Sequence, residues 1–388
     1  MQTENSINFF VFLYSVFVQI LFGLFLLAIC VQCSYVYFFY RIFFLKRPKV
    51  RVSSQAVSVI ICARNEAANL LFNLPVVLSQ RYRNGTGKPM YEVIVVNDAS
   101  TDDTEDVLNA LKIKYSHLNI INVSADTYRT LPGKKFALSY GVAAAKHNWL
   151  LMTDADCTPA GEHWLAGMVA PLIKGKTIAL GYGAYRRAPG LLNSFVRWET
   201  AHTFLQYATY AMAGVPYMGV GRNLACTKDR LLKAQASPIW ATLPSGDDDF
   251  LVRIGGGRKN TGVVMHPKAF TYTDAKANFD EWVGQKQRHL STGKYYKPVS
   301  IILLGFYACS HALMWLAFIT LLFTGYAEWV LLCMIIRCAI YWPVMAYTAG
   351  RLREQKLLTL LPLFDFVWMI YNFAFAPYVI WKNKKQWK

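Results

Sequence analysis

Residues 9–40 contain no charged side chain. A helix crosses the hydrocarbon core of a bilayer with roughly 20 apolar residues, so this block is long enough to span with some tilt. It is too long for the apolar core of a signal peptide, and no small-residue cleavage site stands out, so a retained anchor is expected. Arg41, Lys46, Arg47, Lys49 and Arg51 follow at once. Basic loops stay in the cytoplasm, which places the residues after them inside and the N-terminus outside. Apolar segments return at residues 301–323, at 329–348 with one interruption by Arg337, and at 357–381. The expectation is an integral protein of the inner or cell membrane, with an anchor at 9–40, a soluble cytoplasmic unit at 52–297 and a C-terminal membrane region at 300–381.

The last apolar segment poses a question of parity. A complete crossing carries Lys382, Lys384, Lys385 and Lys388 outside, against the positive-inside tendency. Pro362, Asp365 and Pro377 fit a broken or re-entrant segment, whereas its length suffices for a full crossing. Two to three C-terminal spans are therefore expected.

The chain is 54% hydrophobic, against about 45–50% for an ordinary soluble domain, and the excess lies in the terminal blocks. The formal charge of +18 follows mainly from basic loops and attraction to anionic lipid. The basic residues are dispersed and form no nucleic-acid-binding motif, so nucleic acid is not an expected partner. Some lysines and arginines are expected to face a diphosphate. Cys30 and Cys33 form a CxxC inside the anchor, where they read as small apolar residues. Cys62, Cys157 and Cys226 belong to the soluble unit as reduced thiols. No His/Cys cluster has zinc spacing.

Within the soluble unit, residues 57–63, 91–96 and 149–153 have the length and β-rich composition of strands. Helical patterns at 67–79, 101–114 and 136–146 separate them, which implies a mostly parallel, Rossmann-like α/β sheet. Such sheets bind ligands at the carboxyl ends of their strands. Polar motifs sit at those ends: Arg64, Asn65 and Glu66, then Asn97 and Asp98, then Asp154 and Asp156. Neither GxGxxG nor GxxxxGK[ST] is present, which argues against a hydride-transferring Rossmann enzyme and a P-loop NTPase.

Asp154-Ala155-Asp156 puts two carboxylates at a strand end, where both reach one hard divalent cation that bridges phosphate oxygens. Asp156 is the better placed of the two for direct coordination. Asp98 ends its strand and suits a base or ribose contact, while Asp102 and Asp103 read as helix-start residues. Lys134, after Gly133, either meets a phosphate or lies in a solvated loop. Asp247, Asp248 and Asp249 open a helix whose Phe250, Leu251 and Ile254 form a buried face, so some of these acids point inward. A partly buried carboxylate beside other acids has a raised pKa, which suits a general base. Residues 190–213 fit either a buried core helix or a membrane-surface helix. Residues 275–296, polar with Phe279, Trp282, Tyr295 and Tyr296, suit the membrane interface.

The segments VSVIICARNE, VIVVNDASTDDT, GKKFAL, LLMTDADC, GVGRNLA, GDDDF and QKQRH occur in order between residues 57 and 289. Together they resemble the family 2 glycosyltransferases, the membrane-attached, inverting kind with a GT-A fold. The flanking membrane segments resemble the ceramide-glucosyltransferase-like and polysaccharide-synthase-like branches. The resemblance implies that Glu66 and Asp98 hold the nucleotide's base and ribose. It implies that Asp154 and Asp156 hold the diphosphate through Mg²⁺ or Mn²⁺. Asp247 matches the Asp of the family's ED pair, the catalytic base, with Asp248 the neighbouring candidate; Gly246 stands where that pair has Glu. Gln285 and Arg288 match QxxRW, in which Arg meets the diphosphate. His289 replaces the Trp that lines the acceptor channel. Gly221, Arg222 and Asn223 match a loop near the acceptor.

The expected activity is transfer of a sugar from a nucleotide-diphosphate sugar to a hydroxyl of a lipid-linked, polyprenyl-linked or membrane-associated acceptor, as in glycolipid or cell-envelope polysaccharide synthesis. A processive polysaccharide synthase uses the same site but needs a translocation channel, for which one span before and about three after are few. A nucleotidyltransferase shares the sheet and metal site but leaves QKQRH unexplained. A non-catalytic nucleotide-binding scaffold predicts loss of acidic ligands, and all are present.

Overall fold

The charge-free block folds as one helix, α1 (Gln2–Phe39), followed by a 3-10 turn at Tyr40–Phe44. The computed structural model describes residues 2–47, 52–242 and 245–380; Lys49, Arg51, Trp381 and the terminal lysines lie outside the described residues. Residues Val57–Ala63 form β1, and all seven are buried. Burial on both faces is the mark of a parallel strand covered by helices on each side. After α2 (Ala67–Leu78) come β2 (Tyr91–Asp98), α3 (Thr104–Lys114), β3 (Leu118–Val123), α4 (Lys134–Ala144) and β4 (Trp149–Asp154). β1 pairs in parallel with both β2 and β4, and β2 with β3.

Short strands complete the unit. β5 (Thr158–Pro159), α5 (Trp164–Ile173), β6 (Ile178–Leu180), β7 (Gly183–Tyr185), α6 (Leu191–Ala213) and β8 (Leu224–Thr227) follow. Then come α7 (Lys228–Gln235), α8 (Pro238–Thr242), α9 (Asp247–Gly255), β9 (Thr261–Val263), β10 (Thr271–Thr273) and α10 (Phe279–Leu290). The main sheet has seven strands in the order β3-β2-β1-β4-β8-β6-β9, and only β8 runs against its neighbours. β5, β10 and β7 make a second, three-stranded sheet.

The period-2 alternation of β1 divides two cores. Val57, Val59, Ile61 and Ala63 pack with α2 and α5. Ile60 and Cys62 face α4 in a core that continues through α6 into the C-terminal helices. α6 is buried along most of its length, so residues 190–213 form a core helix and not a membrane-surface helix. Trp282 of α10 is buried against Phe195 and the C-terminal helix, whereas Phe279 is exposed.

α11 (Pro298–Leu321), α12 (Ala327–Leu352) and α13 (Leu361–Ile380) follow among the described residues. Among the described residues, four segments are long and apolar enough to cross a membrane: Asn8–Phe44, Pro298–Leu321, Ala327–Leu352 and Gln355–Tyr378. The last segment is thus a continuous helix preceded by a 3-10 turn, not a broken one. Pro362 is its second residue, where no helical N–H is lost, and Pro377 falls in its last turn. Asp365 does not break it either. Its carboxylate is buried and takes two bonds from Arg337 of α12, at 2.7 and 3.0 Å, and one from the Trp315 indole of α11 at 3.1 Å. His311 of α11 lies 3.3 Å from the same group.

A buried ion pair contributes little net stability, but removing one member strands the other charge. Arg337→Met is therefore expected to destabilise the protein by about 3–5 kcal/mol, read as a lowered Tm in detergent. Removing both charges, as Arg337→Met with Asp365→Leu, should recover most of that loss. Equal loss in single and double variants would contradict this account.

Candidate active site

The loops after β1 and β2 are laced together by short polar side chains. Asn65, in the left-handed region at φ 56°, accepts from the Thr101 N–H at 2.8 Å and donates its own N–H to Ser100 at 2.9 Å. The Glu66 N–H donates to Thr104 at 3.0 Å. Asp102 accepts from the Ala67 and Thr104 amides at 3.2 and 3.1 Å, which sets the start of α3 at Thr104 and not at residue 101. The Glu66 carboxylate accepts from Asn69 at 2.6 Å.

Asp98, the last residue of β2, is fully buried. Arg129 grips it at 2.8 and 3.1 Å and lies 5.2 Å over the Phe136 ring. Sequence reading missed Arg129, because nothing local marks it as the partner of an acid on another strand.

Next to it, Lys134 begins α4 and forms an ion pair with Asp154 at the end of β4. Burial works against both charges. Asp154, with Cys62 and Asp247, nonetheless raises the Lys134 ammonium above its usual range, and Lys134 holds the Asp154 carboxyl below its own. Lys135, the next residue, points the other way: it is buried, its Nζ donates to the Trp240 carbonyl at 2.7 Å, and burial pushes it down to about 8. Cys62 of β1 sits among these groups. Burial pushes its thiol up to about 12, with Lys134 opposing and Asp247, Asp154 and Asp98 adding to the rise.

Asp156 is exposed and Cys157 is buried. One donor atom from each of Asp154, Asp156 and Cys157 lies within 4.8 Å of the others. Two carboxylates at this spacing suit a hard divalent cation; Cys157, whose Sγ is 3.3 Å from Asp156, was read in the sequence only as a reduced thiol. Arg222 comes up beside this group. Its Nη2 donates to the Gly183 carbonyl at 2.7 Å and its guanidinium lies 4.7 Å over Tyr185. Burial opposes its charge, but Tyr185, Cys157, Asp154 and Asp156 hold it firmly on.

Gly221 donates its N–H to Asp248 at 2.7 Å, and a Cβ here would meet that carboxylate at 3.3 Å. Asn223 is buried, with its amide spent on the Trp164 indole, at 2.9 Å, and on the Tyr182 and Ala269 carbonyls. From within, it holds the loop that the sequence places near the acceptor.

The three acids of α9 have different surroundings. Asp247 and Asp248 line one cleft with Cys62, Lys134, Thr153 and Gly221. Burial, then the neighbouring Asp247, pushes the Asp248 carboxyl up to about 7. Asp249 turns away and accepts from Thr292 at 2.9 Å and Tyr296 at 3.0 Å, with burial raising its pKa well above the carboxylate range.

On α10, Gln285 has a buried Oε1 without a partner among the described residues. Lys286 is buried and paired with buried Glu199 of α6. His289 is exposed on α10, with Arg288, Lys286, Arg222 and Asp154 as its charged neighbours. Arg288 forms no ion pair among the described residues.

Gly246 precedes α9 with φ 79°, and a Cβ there would lie 2.4 Å from the Thr292 methyl. The backbone and Thr292 together exclude the Glu that the family's acidic pair has at this position. Gly246→Ala should therefore lower Tm and weaken turnover by displacing α9, and pairing it with Thr292→Ser should recover part of both losses. A fully stable, fully active Gly246→Ala protein would contradict this reading.

Residues 58–213 match the family model for glycosyl transferase family 2. Over 147 residues the chain is 30% identical to a probable glycosyltransferase, YdaM, of Bacillus subtilis, covering 37% of this chain and 33% of that protein. Over 128 residues it is 28% identical to the beta-monoglucosyldiacylglycerol synthase of Nostoc, covering 33% of this chain and 25% of that one. The chain thus matches a third or less of these relatives' length. The mannosyltransferase PcManGT from Pyrobaculum calidifontis, solved in complex with GDP-Man and Mn²⁺, superposes with a TM-score of 0.56 at 18% identity. That likeness covers 92% of this chain and 99% of the other, and it establishes a shared fold. Parallel strands with acids at their ends, the family match and the shared architecture agree: residues 58–213 form a glycosyl transferase family 2 domain, and the sheet around it has the GT-A fold.

Proposed function

We propose that this protein is a membrane-bound, inverting glycosyltransferase that moves a sugar from a nucleotide-diphosphate sugar to a hydroxyl of a lipid-linked or membrane-associated acceptor. One observation carries the reading. Lys134, Asp247 and Asp248 converge from α4 and α9 on one cleft at the strand ends, with Asp154 of β4 paired to Lys134, while α10 packs its Trp282 into α13.

Glu66 and Asp98 receive the base and ribose, with Arg129 moving off Asp98 as the nucleotide enters. Asp156, with Asp154, would hold Mg²⁺ or Mn²⁺; the paired carboxylates fit such a cation, and a relative of the same fold was solved with Mn²⁺. When bound, the cation neutralises charge on the diphosphate. Lys134, Gln285 and Arg288 face the phosphates, and Arg222 adds positive charge beside Asp154.

The acceptor hydroxyl gives its proton to the acidic pair of α9, with Asp247 as the base and Asp248 held by the Gly221 amide. Its oxygen attacks the anomeric carbon. The bond from that carbon to the diphosphate breaks, and the diphosphate leaves with the electron pair. One in-line displacement inverts the configuration. His289 and the loop carrying Gly221 and Arg222 border the acceptor. The diacylglycerol named for the Nostoc relative supports a lipid acceptor. The basic residues Arg41, Lys46 and Arg47 after α1, and Arg351, Arg353 and Lys356 after α12, support a cytoplasmic position for the soluble unit.

Asp156→Ala is expected to abolish metal-dependent binding of the nucleotide sugar, measured by calorimetry; unchanged binding would sink the metal assignment. Asp247→Asn should bind donor normally while turnover falls by about 10²–10⁴, and an active Asn protein would move the base to Asp248. The Asp248 carboxyl, pushed up to about 7 by burial and then by Asp247, gains a proton as pH drops below that value. This removes negative charge beside the base and from the acceptor of the Gly221 amide, so kcat/KM should fall there, and Asp248→Asn should remove that limb. A limb unmoved by this substitution would show that Asp248 does not set it.

A further inference from the structure

Four cations lie together where the soluble unit meets the membrane helices, and three separate chain segments supply them. Arg47 follows the 3-10 turn Tyr40–Phe44, whose Phe43 ring rests 4.5 Å from that of Tyr347 on α12. Arg351 and Arg353 end α12. Arg351 donates to the Tyr347 hydroxyl at 2.6 Å and to the Met265 carbonyl at 3.1 Å, which ties the helix end to the turn after β9. That turn carries Lys268, whose N–H donates to His266 Nδ1 at 3.1 Å. Arg353 sits in the left-handed region at φ 65°, and its carbonyl accepts from Arg187.

All four charges bear on His266: burial, then Arg47, Lys268, Arg351 and Arg353, lower its pKa, and no acid opposes them. Arg47, Lys268 and Arg353 are exposed. None of the four forms an ion pair among the described residues. The acid nearest in sequence, Glu354, is buried and taken by Arg197. Like charges gathered without a counterion repel one another, so the cluster complements an anion from outside the chain. None of the four lines the cleft of Asp247 and Asp248. The candidate spans end at Phe44 and Leu352, a few residues from Arg47, Arg351 and Arg353. That places the cluster at headgroup depth.

We propose that Arg47, Lys268, Arg351 and Arg353 form a binding site for the phosphate headgroup of an anionic membrane lipid. Arg351, fixed by Tyr347 and Met265, is the oriented member, and the three exposed cations form the rim. The site does not depend on the sugar-transfer reading. A headgroup held there fastens the end of α1, the end of α12 and the turn after β9 to one ligand.

The test uses the full chain, delipidated in detergent and then offered phosphatidylglycerol or phosphatidylcholine, with retained lipid read by native mass spectrometry. The wild-type protein should retain phosphatidylglycerol over phosphatidylcholine by about tenfold, as clustered basic residues at a membrane surface favour anionic lipid. The triple variant Arg47→Gln, Lys268→Gln, Arg353→Gln should lose that preference, with an unchanged Tm in phosphatidylcholine. A control with the same charge loss elsewhere, Lys114→Gln, Lys174→Gln, Lys233→Gln, should keep it. The proposal is overturned if the wild type shows no preference, if the first triple keeps it, or if both triples lose it equally. It is also overturned if millimolar inorganic phosphate displaces the lipid, which would assign the cluster to a free anion.

Discussion

Helix α6 is the constraint on which the rest of the structure depends. It is buried nearly all round, and its contacts reach the sheet, α10 and the long apolar helices α1, α12 and α13. Toward the sheet, the Tyr207 hydroxyl donates to the Gly181 carbonyl at 2.6 Å. Toward the membrane helices, His202 meets the hydroxyls of Tyr341 at 2.8 Å and Tyr307 at 3.2 Å, and stacks on Trp198. Toward the site, Glu199 holds Lys286 of α10. A charge left alone in such surroundings is costly, so the Glu199–Lys286 pair fixes the register of α10 more strictly than apolar packing alone does. Residues 285–289 are therefore placed relative to the membrane helices and to the strand ends by one element.

The strand ends impose a second constraint. A parallel sheet delivers Asp98, Asp154 and, through the adjacent helix, Asp247 to one region around buried Cys62. Gathering several acids in partly dry surroundings is unfavourable unless cations answer them. The protein answers Asp98 with Arg129 and Asp154 with Lys134. It leaves Asp247 and Asp248 facing the cleft. The same arrangement readies the site for a ligand that carries both negative phosphates and a metal ion, because arginine and lysine can pass from carboxylate to phosphate without leaving a charge stranded.

Much of this architecture was legible in residue order. β1, β2 and β4 are buried on both faces, so their sequences read as unbroken β-rich runs, and the motifs after them fall at the strand ends as expected. The remaining strands were not read. β6, β7, β9 and β10 have three residues each, too few for a period to appear, and β3 has a mixed, partly exposed pattern. Residues 190–213 were ambiguous for a related reason: a helix buried on all sides carries no polar face to mark it as core. At the site, the types and spacing of Asp154, Asp156 and Asp247 were informative. The pairings were not, because Arg129 with Asp98 and Lys286 with Glu199 join residues far apart in the chain. The glycine at position 246 looked like a departure from a motif; its positive φ and the approach of Thr292 explain it.

The central claim is that the cleft transfers a sugar to a lipid held at the membrane. The most direct measurement offers purified, detergent-solubilised protein a panel of nucleotide-diphosphate sugars with Mg²⁺ or Mn²⁺ and total membrane lipid. Free nucleoside diphosphate and new glycolipid are followed together, the latter by mass spectrometry. The account predicts diphosphate release with one donor, dependent on lipid and matched by one glycosylated lipid product. Nucleotide binding without release for any donor, or release that yields no glycolipid, would contradict it.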